Sequence, residues 1–431
     1  MKTYYYPSES AKKRVHSILN RDPGFKKKDF RNVSRIIEDI RKHGDKALIT
    51  YINRFDAKEL DIESLRITEQ EIEDAFQAVG GPFISSLEKA IKQIKTFHSL
   101  QKSKSWISME RPGTILGQLV NPVDTAGIYV PGGKSGQTPL VSSVLMGAIP
   151  AAIAGVKKIV MATPPKEDGT INPHLIVAAQ KTGIHDIYKI GSAWAIAALA
   201  YGTESVPRAD VIAGPGNIYV TLAKKIVSGK TGIDMIAGPS EILIIADKTA
   251  IPEFIAADLL SQAEHDPLAS SILVTDSRKI ARAAARAVKD QITHLKRSEI
   301  AEASIAKFGA IVVTPDLDTA IELANRIAPE HLELQVKDPF EHIGKIRNAG
   351  ALFVGNYTPE PVGDYMAGPN HVLPTAGAAR YASALSVDHF TKQTSLIHYS
   401  KSAFMQEADD ILRLAAIEGL DAHAKAIKIR I

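Results

Sequence analysis

From Ala126 to about residue 355, short runs rich in Val, Ile and Ala alternate with segments of helical periodicity, and this rhythm constrains the fold more than any other feature of the sequence. The runs form two series. The first comprises Ala126 to Val130, Lys158 to Ala162, Asp186 to Ile190 and Asp210 to Ile212; the second comprises Glu241 to Ala246, Ser271 to Thr275, Ala310 to Thr314, Leu332 to Val336 and Ala351 to Val354. Continuously apolar strands need cover on both faces, and strands separated by helices pair in parallel. The expected fold class is α/β, with two doubly wound parallel-sheet domains. No repeat on the order of 20 to 50 residues relates the two series, so they would share a shape rather than letters.

Helical patterns flank this region. Val33, Ile36, Ile37 and Ile40 fall at helical spacing before Gly44, Leu48, Tyr51, Ile52 and Phe55 repeat the pattern, and Thr68 with Glu71 reads as a capping box. The polar residues here belong to the solvated faces of amphipathic helices, so residues 1 to about 105 read as scaffold. From about residue 386 the chain turns helical again, with Ile411, Leu412, Leu414 and Ala415 ahead of Glu418-Gly419-Leu420-Asp421-Ala422-His423, and it ends in the strand-like, basic Ile427 to Ile431. A tail this apolar needs a surface to cover, on its own subunit or on a partner.

Composition then removes several classes of function. The 431 residues contain no cysteine, which excludes disulfides, iron-sulfur clusters and thiolate zinc sites and leaves nitrogen and oxygen as metal ligands. The formal charge is +4, with one small basic cluster at Lys26-Lys27-Lys28, so no nucleic-acid footprint is evident. The start, Met1 to Pro7, lacks the apolar core of a signal peptide, and the longest apolar run, Val144 to Val156, is too short for a bilayer and contains Pro150. A cytoplasmic protein without a membrane partner is expected.

Several motifs carry chemistry. Gln262 and His265 are three apart at the end of a predicted helix, where they would be neighbours on one face able to grip a metal ion; standing alone, the pair reads more readily as a polar helix end closed by Asp266-Pro267. Asp364 and His423 are further donors of the right kind, and two imidazoles, a carboxylate and an amide oxygen would suit zinc, although spacing does not show that they converge. Glu330 and His331 sit side by side just before a predicted strand, as a proton shuttle with a carboxylate able to activate water, or as an ordinary structural pair. His371 lies in a loop of its own. Tyr129-Val130-Pro131-Gly132-Gly133-Lys134-Ser135-Gly136 and Gly214-Pro215-Gly216-Asn217 follow strands and precede helices, where backbone amides meet phosphates, but the first lacks P-loop spacing and the second lacks a dinucleotide fingerprint. Turn formation alone accounts for either, and Ala237-Gly238-Pro239-Ser240-Glu241 is equally ambiguous.

Taken together, APEHLE, GDYMAGPNHVLPT, SQAEHD, GPGNIYV, IDMIAGPSE and LDAH, at the separations they have here, resemble the histidinol dehydrogenase family across essentially the whole chain. That resemblance implies a zinc enzyme that makes histidine from histidinol by two NAD-dependent oxidations through a bound aldehyde. It implies zinc ligands at Gln262, His265, Asp364 and His423, with one ion per subunit, a general base at His331 and a water-activating Glu330. Substrate would be contacted by Ser240, His371 and Glu418 beside His331 and the metal ligands Gln262, His265, Asp364 and His423; NAD would lie along Tyr129 and Asn217 and at residue 194. It implies a homodimer with shared active sites, in which Glu418 and His423 work in the partner's site.

The implied layout has two incomplete Rossmann-like domains, a helical N-terminal segment at 1–26, and an extended, dimer-swapped helical tail at 386–431. A zinc and catalytic domain would span 27–128 with 243–385, and an NAD-binding domain 129–242. Two departures fall in the NAD region. Where the family pattern has Gly-Gly-Ala-Gln, this chain has Gly191-Ser192-Ala193-Trp194, and the loop between Gly133 and Ser142 is longer. Trp194 would either stack on the cofactor or fill a gap. Two other readings stand beside the first: a paralogous zinc and NAD dehydrogenase of another small polar alcohol, such as a sulfonated diol, and a zinc-binding protein without turnover.

Overall fold

All nine apolar runs are strands in the computed structural model, which describes residues 1–21, 25–132 and 138–431. They fall into two parallel sheets. One has five strands, in the order Asp186–Lys189, Lys158–Thr163, Thr125–Tyr129, Val211–Ala213 and Gly232–Ile233. The other has six: Thr3–Tyr5, Ala310–Val313, Ser270–Thr275, Glu241–Ala246, His331–Gln335 and Ala351–Val354. In each, the first strand of its series lies inside the sheet and later strands are added on both sides, which is the doubly wound pattern.

Around the five-stranded sheet, helices Val141–Ala154 and Pro173–Thr182 share one core, and Ser192–Tyr201 and Ile218–Val227 share the other. Around the six-stranded sheet, Pro252–Ala263, Arg278–Ile292 and Ser298–Phe308 lie on one side, and Leu317–Ile327 with Glu9–Leu19 on the other. Residues 1–26 are therefore not only helical. Thr3–Tyr5 extends the six-stranded sheet beside Ala310–Val313, and Val15 and Ile18 cover its face.

The packing also regroups residues 27–128. Placed by the sequence reading with 243–385, their helices lie instead on the five-stranded unit: Lys27–Phe55 against Ser192–Tyr201 and Ile218–Val227, and Glu69–Ala78 and Gly81–Ser99 against Pro173–Thr182 and Val141–Ala154. The reason is local. Val33, Ile37, Leu48 and Ile52 form a buried stripe, and the facing helix offers Ala193, Ala195, Ala197 and Ala198, small side chains that let two helices approach closely. Gly44, at φ +51°, breaks Lys27–Phe55 where the sequence predicts a stop, and the box at Thr68 is present in both directions, worth about 1 kcal/mol.

A third, antiparallel sheet joins Thr391–Tyr399, Thr114–Pro122 and Trp106–Ser108, so the segment from 386 is not helical throughout. Helix resumes at Lys401–Ile417 and Asp421–Lys428. The end of the chain forms no strand where alternation predicts one, since Ile427 and Lys428 close the last helix and Ile429 and Arg430 follow it as a turn: five alternating residues without a neighbouring strand have no ladder to join, whereas Asp421–Lys428 carries three alanines that favour helix. The two tail helices pack on each other and leave Leu414, Ile417 and Ile429 exposed. Among the described residues, no helix is long and apolar enough to cross a membrane.

Candidate active site

A cavity of about 360 Å³ opens where the two parallel sheets meet, lined by Gly214, Pro215, Gly216, Ser240, Gln262, His265, Glu330, His331, Glu360, Asp364 and His371 among others. The five-stranded sheet presents its carboxyl edge, through the loop after Val211–Ala213. The six-stranded sheet presents its amino edge: Ser240 immediately precedes Glu241–Ala246, and His331 is the first residue of its strand rather than part of the loop before it. Helices in such a sheet run against the strands, so Pro252–Ala263 delivers its carboxyl end to this same edge. Gln262 thereby enters the cavity from the last turn, and His265 follows just beyond the helix, its N–H donating to the Gln262 carbonyl at 3.2 Å.

Gln262 is 2% exposed, and its Oε1 has no hydrogen-bond partner. A buried amide oxygen left this way costs roughly 1–3 kcal/mol unless something else satisfies it. Asp364 rides on the short helix Glu360–Tyr365, with Oδ1 3.4 Å from His371 Nδ1. Burial raises the Asp364 carboxyl, but His371, His331 and Glu360 outweigh it and leave it below the ordinary value. Glu360, one turn earlier, lies 3.9 Å from His331 Nε2. Burial and the Asp364 carboxylate push Glu360 up to about 8. One ligand atom each from His331, Glu360 and Asp364 lie within 4.8 Å of one another, so a cation has carboxylate and imidazole donors here besides Gln262 and His265.

The tautomer of His331 follows from its surroundings. Its Nδ1–H donates to the Glu241 carbonyl at 2.9 Å, which leaves Nε2 as the basic nitrogen. Burial is the main cause that lowers its pKa to about 4, so the ring is neutral near pH 7. Glu330 is pushed well above the ordinary carboxylate range, first by burial and then by Glu241, Glu360 and Asp364. Its Oε2 accepts the Glu241 N–H at 2.8 Å.

The Gly214-Pro215-Gly216 loop is fixed by a buried ion pair. Lys224 pairs with Asp234, its Nζ donates to the Gly214 carbonyl at 2.9 Å, and Asp234 Oδ2 accepts the Gly214 N–H at 2.8 Å. Gly214 has φ +126°, and a Cβ there would come within 2.0 Å of the Tyr129 carbonyl oxygen, so only glycine fits.

Other predicted site residues lie elsewhere. Tyr129 is buried, with its hydroxyl accepting the Ser192 N–H at 3.0 Å. Asn217 caps Ile218–Val227, its Oδ1 accepting from the Tyr219 and Val220 N–H groups at 3.0 and 3.2 Å. Trp194 is 7% exposed and lies nearly parallel to Tyr51 and Phe55, with centroids 6.1 and 5.4 Å away; its Nε1–H donates to Asp56 at 2.7 Å. Burial raises the Asp56 carboxyl to about 6. The ring therefore fills space against the 27–55 helix, and it also lines a second cavity of about 1050 Å³ with Tyr51, Phe55, Ser192 and Tyr219. Gly133 to Gly136 and most of the longer loop lie outside the described residues. Glu418 and His423 are exposed on the tail and do not line the cavity of their own chain.

Sequence reasoning missed Glu360 and Asp56. Glu360 had a signal, since it stands four residues before Asp364 and so shares a helix face with it. Asp56 had none, because its partners are 135 and 138 residues away.

Two parallel sheets meeting edge to edge around a cleft of imidazoles, carboxylates and an amide define an α/β enzyme. The family described as histidinol dehydrogenase matches residues 20–431. The chain is 54% identical over 399 residues to histidinol dehydrogenase of Desulfotalea psychrophila, covering 93% of this chain and 92% of that protein. It is 50% identical over 399 residues to histidinol dehydrogenase of Carboxydothermus hydrogenoformans, covering 93% of each. The crystal structure of histidinol dehydrogenase from Elizabethkingia anophelis superposes with a TM-score of 0.92 at 40% identity, covering 100% of this chain and 98% of that one. The chain belongs to the histidinol dehydrogenase family.

Proposed function

We propose that the protein oxidises L-histidinol to L-histidine in two successive NAD-dependent steps through bound L-histidinal, the last step of histidine biosynthesis, in the cytoplasm. The observation that carries this reading is the cavity itself, in which a neutral imidazole with a free Nε2 stands beside Glu330, Asp364, His265 and the unpartnered Gln262 oxygen. Gln262, His265 and Asp364 fit a zinc ion, since they offer nitrogen and oxygen donors and a cation would satisfy the buried amide oxygen. Bound there, zinc would orient the substrate's imidazole and amino nitrogens, while NAD along Tyr129, Trp194 and Asn217 would accept hydride.

His331 Nε2 takes the hydroxyl proton as hydride leaves the alcohol carbon. Glu330 orients the water that adds to the aldehyde, and His331, once it has passed its first proton to solvent, removes a proton from the hydrate as the second hydride leaves. Ser240 and His371, which both line the cavity, hold polar groups of the substrate so that the same carbon faces NAD in both steps. About two NADH per histidinol consumed is the expected stoichiometry. Oxidation of another polar alcohol with none of histidinol would favour the paralogue reading, and no turnover with any alcohol the non-catalytic one.

We further propose that the protein is a homodimer in which Glu418 and His423 complete the partner's cavity. Two observations support this: the tail leaves Leu414, Ile417 and Ile429 exposed, and His265, though it lines the cavity, is exposed within one chain. For NAD, the adenosine half is assigned to the 1050 Å³ cavity, against the wall made by Trp194, Tyr51 and Phe55. Trp194→Gln is expected to raise KM for NAD several-fold with kcat at saturation nearly unchanged. An unchanged KM in a variant that still melts cooperatively would leave the ring with a packing role alone.

A further inference from the structure

Glu241 occupies an unusual position: it is 6% exposed, does not line the cavity, and is bonded to both residues proposed to do the chemistry. Its backbone N–H donates to Glu330 Oε2 at 2.8 Å, and its carbonyl accepts His331 Nδ1–H at 2.9 Å. Its side chain returns the first contact, with Oε2 accepting the Glu330 N–H at 3.2 Å. Oε1 accepts the Ala376 N–H at 3.1 Å and pairs with the Arg21 guanidinium. Arg21 comes from the far end of the chain, just past the Glu9–Leu19 helix, and is as buried as its partner; it also donates to the Pro239 carbonyl at 3.1 Å, next to Ser240.

A buried ion pair is weak evidence for stability, because desolvating two charges costs about as much as their attraction returns, and apolar replacements are often as stable. What this pair does supply is geometry. It ties together the N-terminal segment, the strand start at 239–241 and the turn at 376, and the tie ends on Glu330 and His331. We propose that Arg21 and Glu241 are positioning residues: Arg21 holds the Glu241 carboxylate, and Glu241 holds Glu330 and His331 at the distance and orientation that proton transfer requires. Neither touches substrate. The inference rests on the roles proposed above for Glu330 and His331.

The side-chain chemistry sets the expected results. In Glu241→Gln one oxygen remains for Ala376 and Arg21, but an amide NH2 then faces the Glu330 N–H, two donors against each other. Arg21→Met removes the charge and the tie to Pro239 while keeping volume. Misplacing a reacting group by about 1 Å costs on the order of a hundredfold in rate. Both variants are therefore expected to lose tenfold to a hundredfold in kcat, with KM for NAD within about twofold of the parent. Arg21→Lys restores a cation at nearly the same reach and is expected to recover most of the loss.

The test measures kcat and KM for histidinol and for NAD on the full-length protein, with thermal melts to confirm that each variant is folded at the assay temperature, and with His331→Asn alongside. If Arg21→Met fails to melt cooperatively, Arg21→Gln replaces it. A kcat loss with unchanged KM for NAD and rescue by Arg21→Lys supports the positioning role. A kcat within twofold of the parent in both Arg21→Met and Glu241→Gln overturns it and leaves the base assignment standing, provided that His331→Asn is inactive. If His331→Asn itself keeps full activity, the base assignment falls and the positioning role falls with it.

Discussion

Replacing His331 by Asn is expected to lower kcat for both oxidations by about 10²- to 10⁴-fold, the usual contribution of a positioned general base. The substitution is chosen for what it keeps. Asn can still donate to the Glu241 carbonyl that now receives Nδ1–H at 2.9 Å, so the start of the strand stays anchored, but it puts no basic nitrogen where Nε2 stands. KM for NAD should hold, because His331 is carried by the six-stranded sheet, whereas the groups assigned to NAD come from the five-stranded unit. Glu330→Gln, in contrast, should slow mainly the second oxidation, assayed from histidinal, since only that step needs water; equal losses in both would remove its assigned role. The same variant tests the dimer. Mixed with a His423→Ala chain, itself inactive, His331→Asn should regain activity, because a mixed dimer has one site with both residues intact. No recovery from mixed chains would place the tail in its own subunit or outside the chemistry.

Removing the metal should abolish turnover while leaving NAD binding intact. The expected loss is on the order of 10³-fold or more, since several kcal/mol of orientation and charge stabilisation disappear together. Binding of NAD should survive because the Gly214–Asn217 loop proposed to meet it is set by protein groups alone, the Lys224 and Asp234 pair gripping Gly214 from both its N–H and its carbonyl. The measurement is histidinol oxidation and NAD affinity on protein shown by elemental analysis to be metal-free, before and after zinc is restored. Full activity in metal-free protein would sink the assignment, and joint loss of activity and NAD affinity would put the ion in the nucleotide site instead. Gln262→Leu should weaken zinc binding without harming the fold, because it removes an oxygen that is buried and unpaired in the protein alone.

The strands were legible because their signal is local. Runs such as Glu241-Ile242-Leu243-Ile244-Ile245-Ala246 are apolar on both faces, and only a strand inside a covered sheet buries both. The antiparallel sheet was not legible, since Thr391–Tyr399 is mostly exposed and polar and owes its conformation to Thr114–Pro122, far away in the chain. Packing of the 27–99 helices was equally hidden: their apolar stripes predict that they dock but not on which sheet. At the site, Gln262, His265, Glu330, His331, Asp364 and His371 could be named from motifs, and the fold brings them to one cavity. What supports them could not. Arg21 and Glu241 are 220 residues apart, and nothing in the residues around Arg21 distinguishes it from the other basic groups of the first helices.

The cleft joins the carboxyl edge of one sheet to the amino edge of another, and this has an evolutionary consequence. Groups assigned to the alcohol and groups assigned to the nucleotide are carried by different stretches of chain, so a duplicated gene can alter one without disturbing the other. On the proposed assignment, the residues to change for a different small polar alcohol are Ser240, His371 and Glu418, with the glycine turn at 214–216 left as it is.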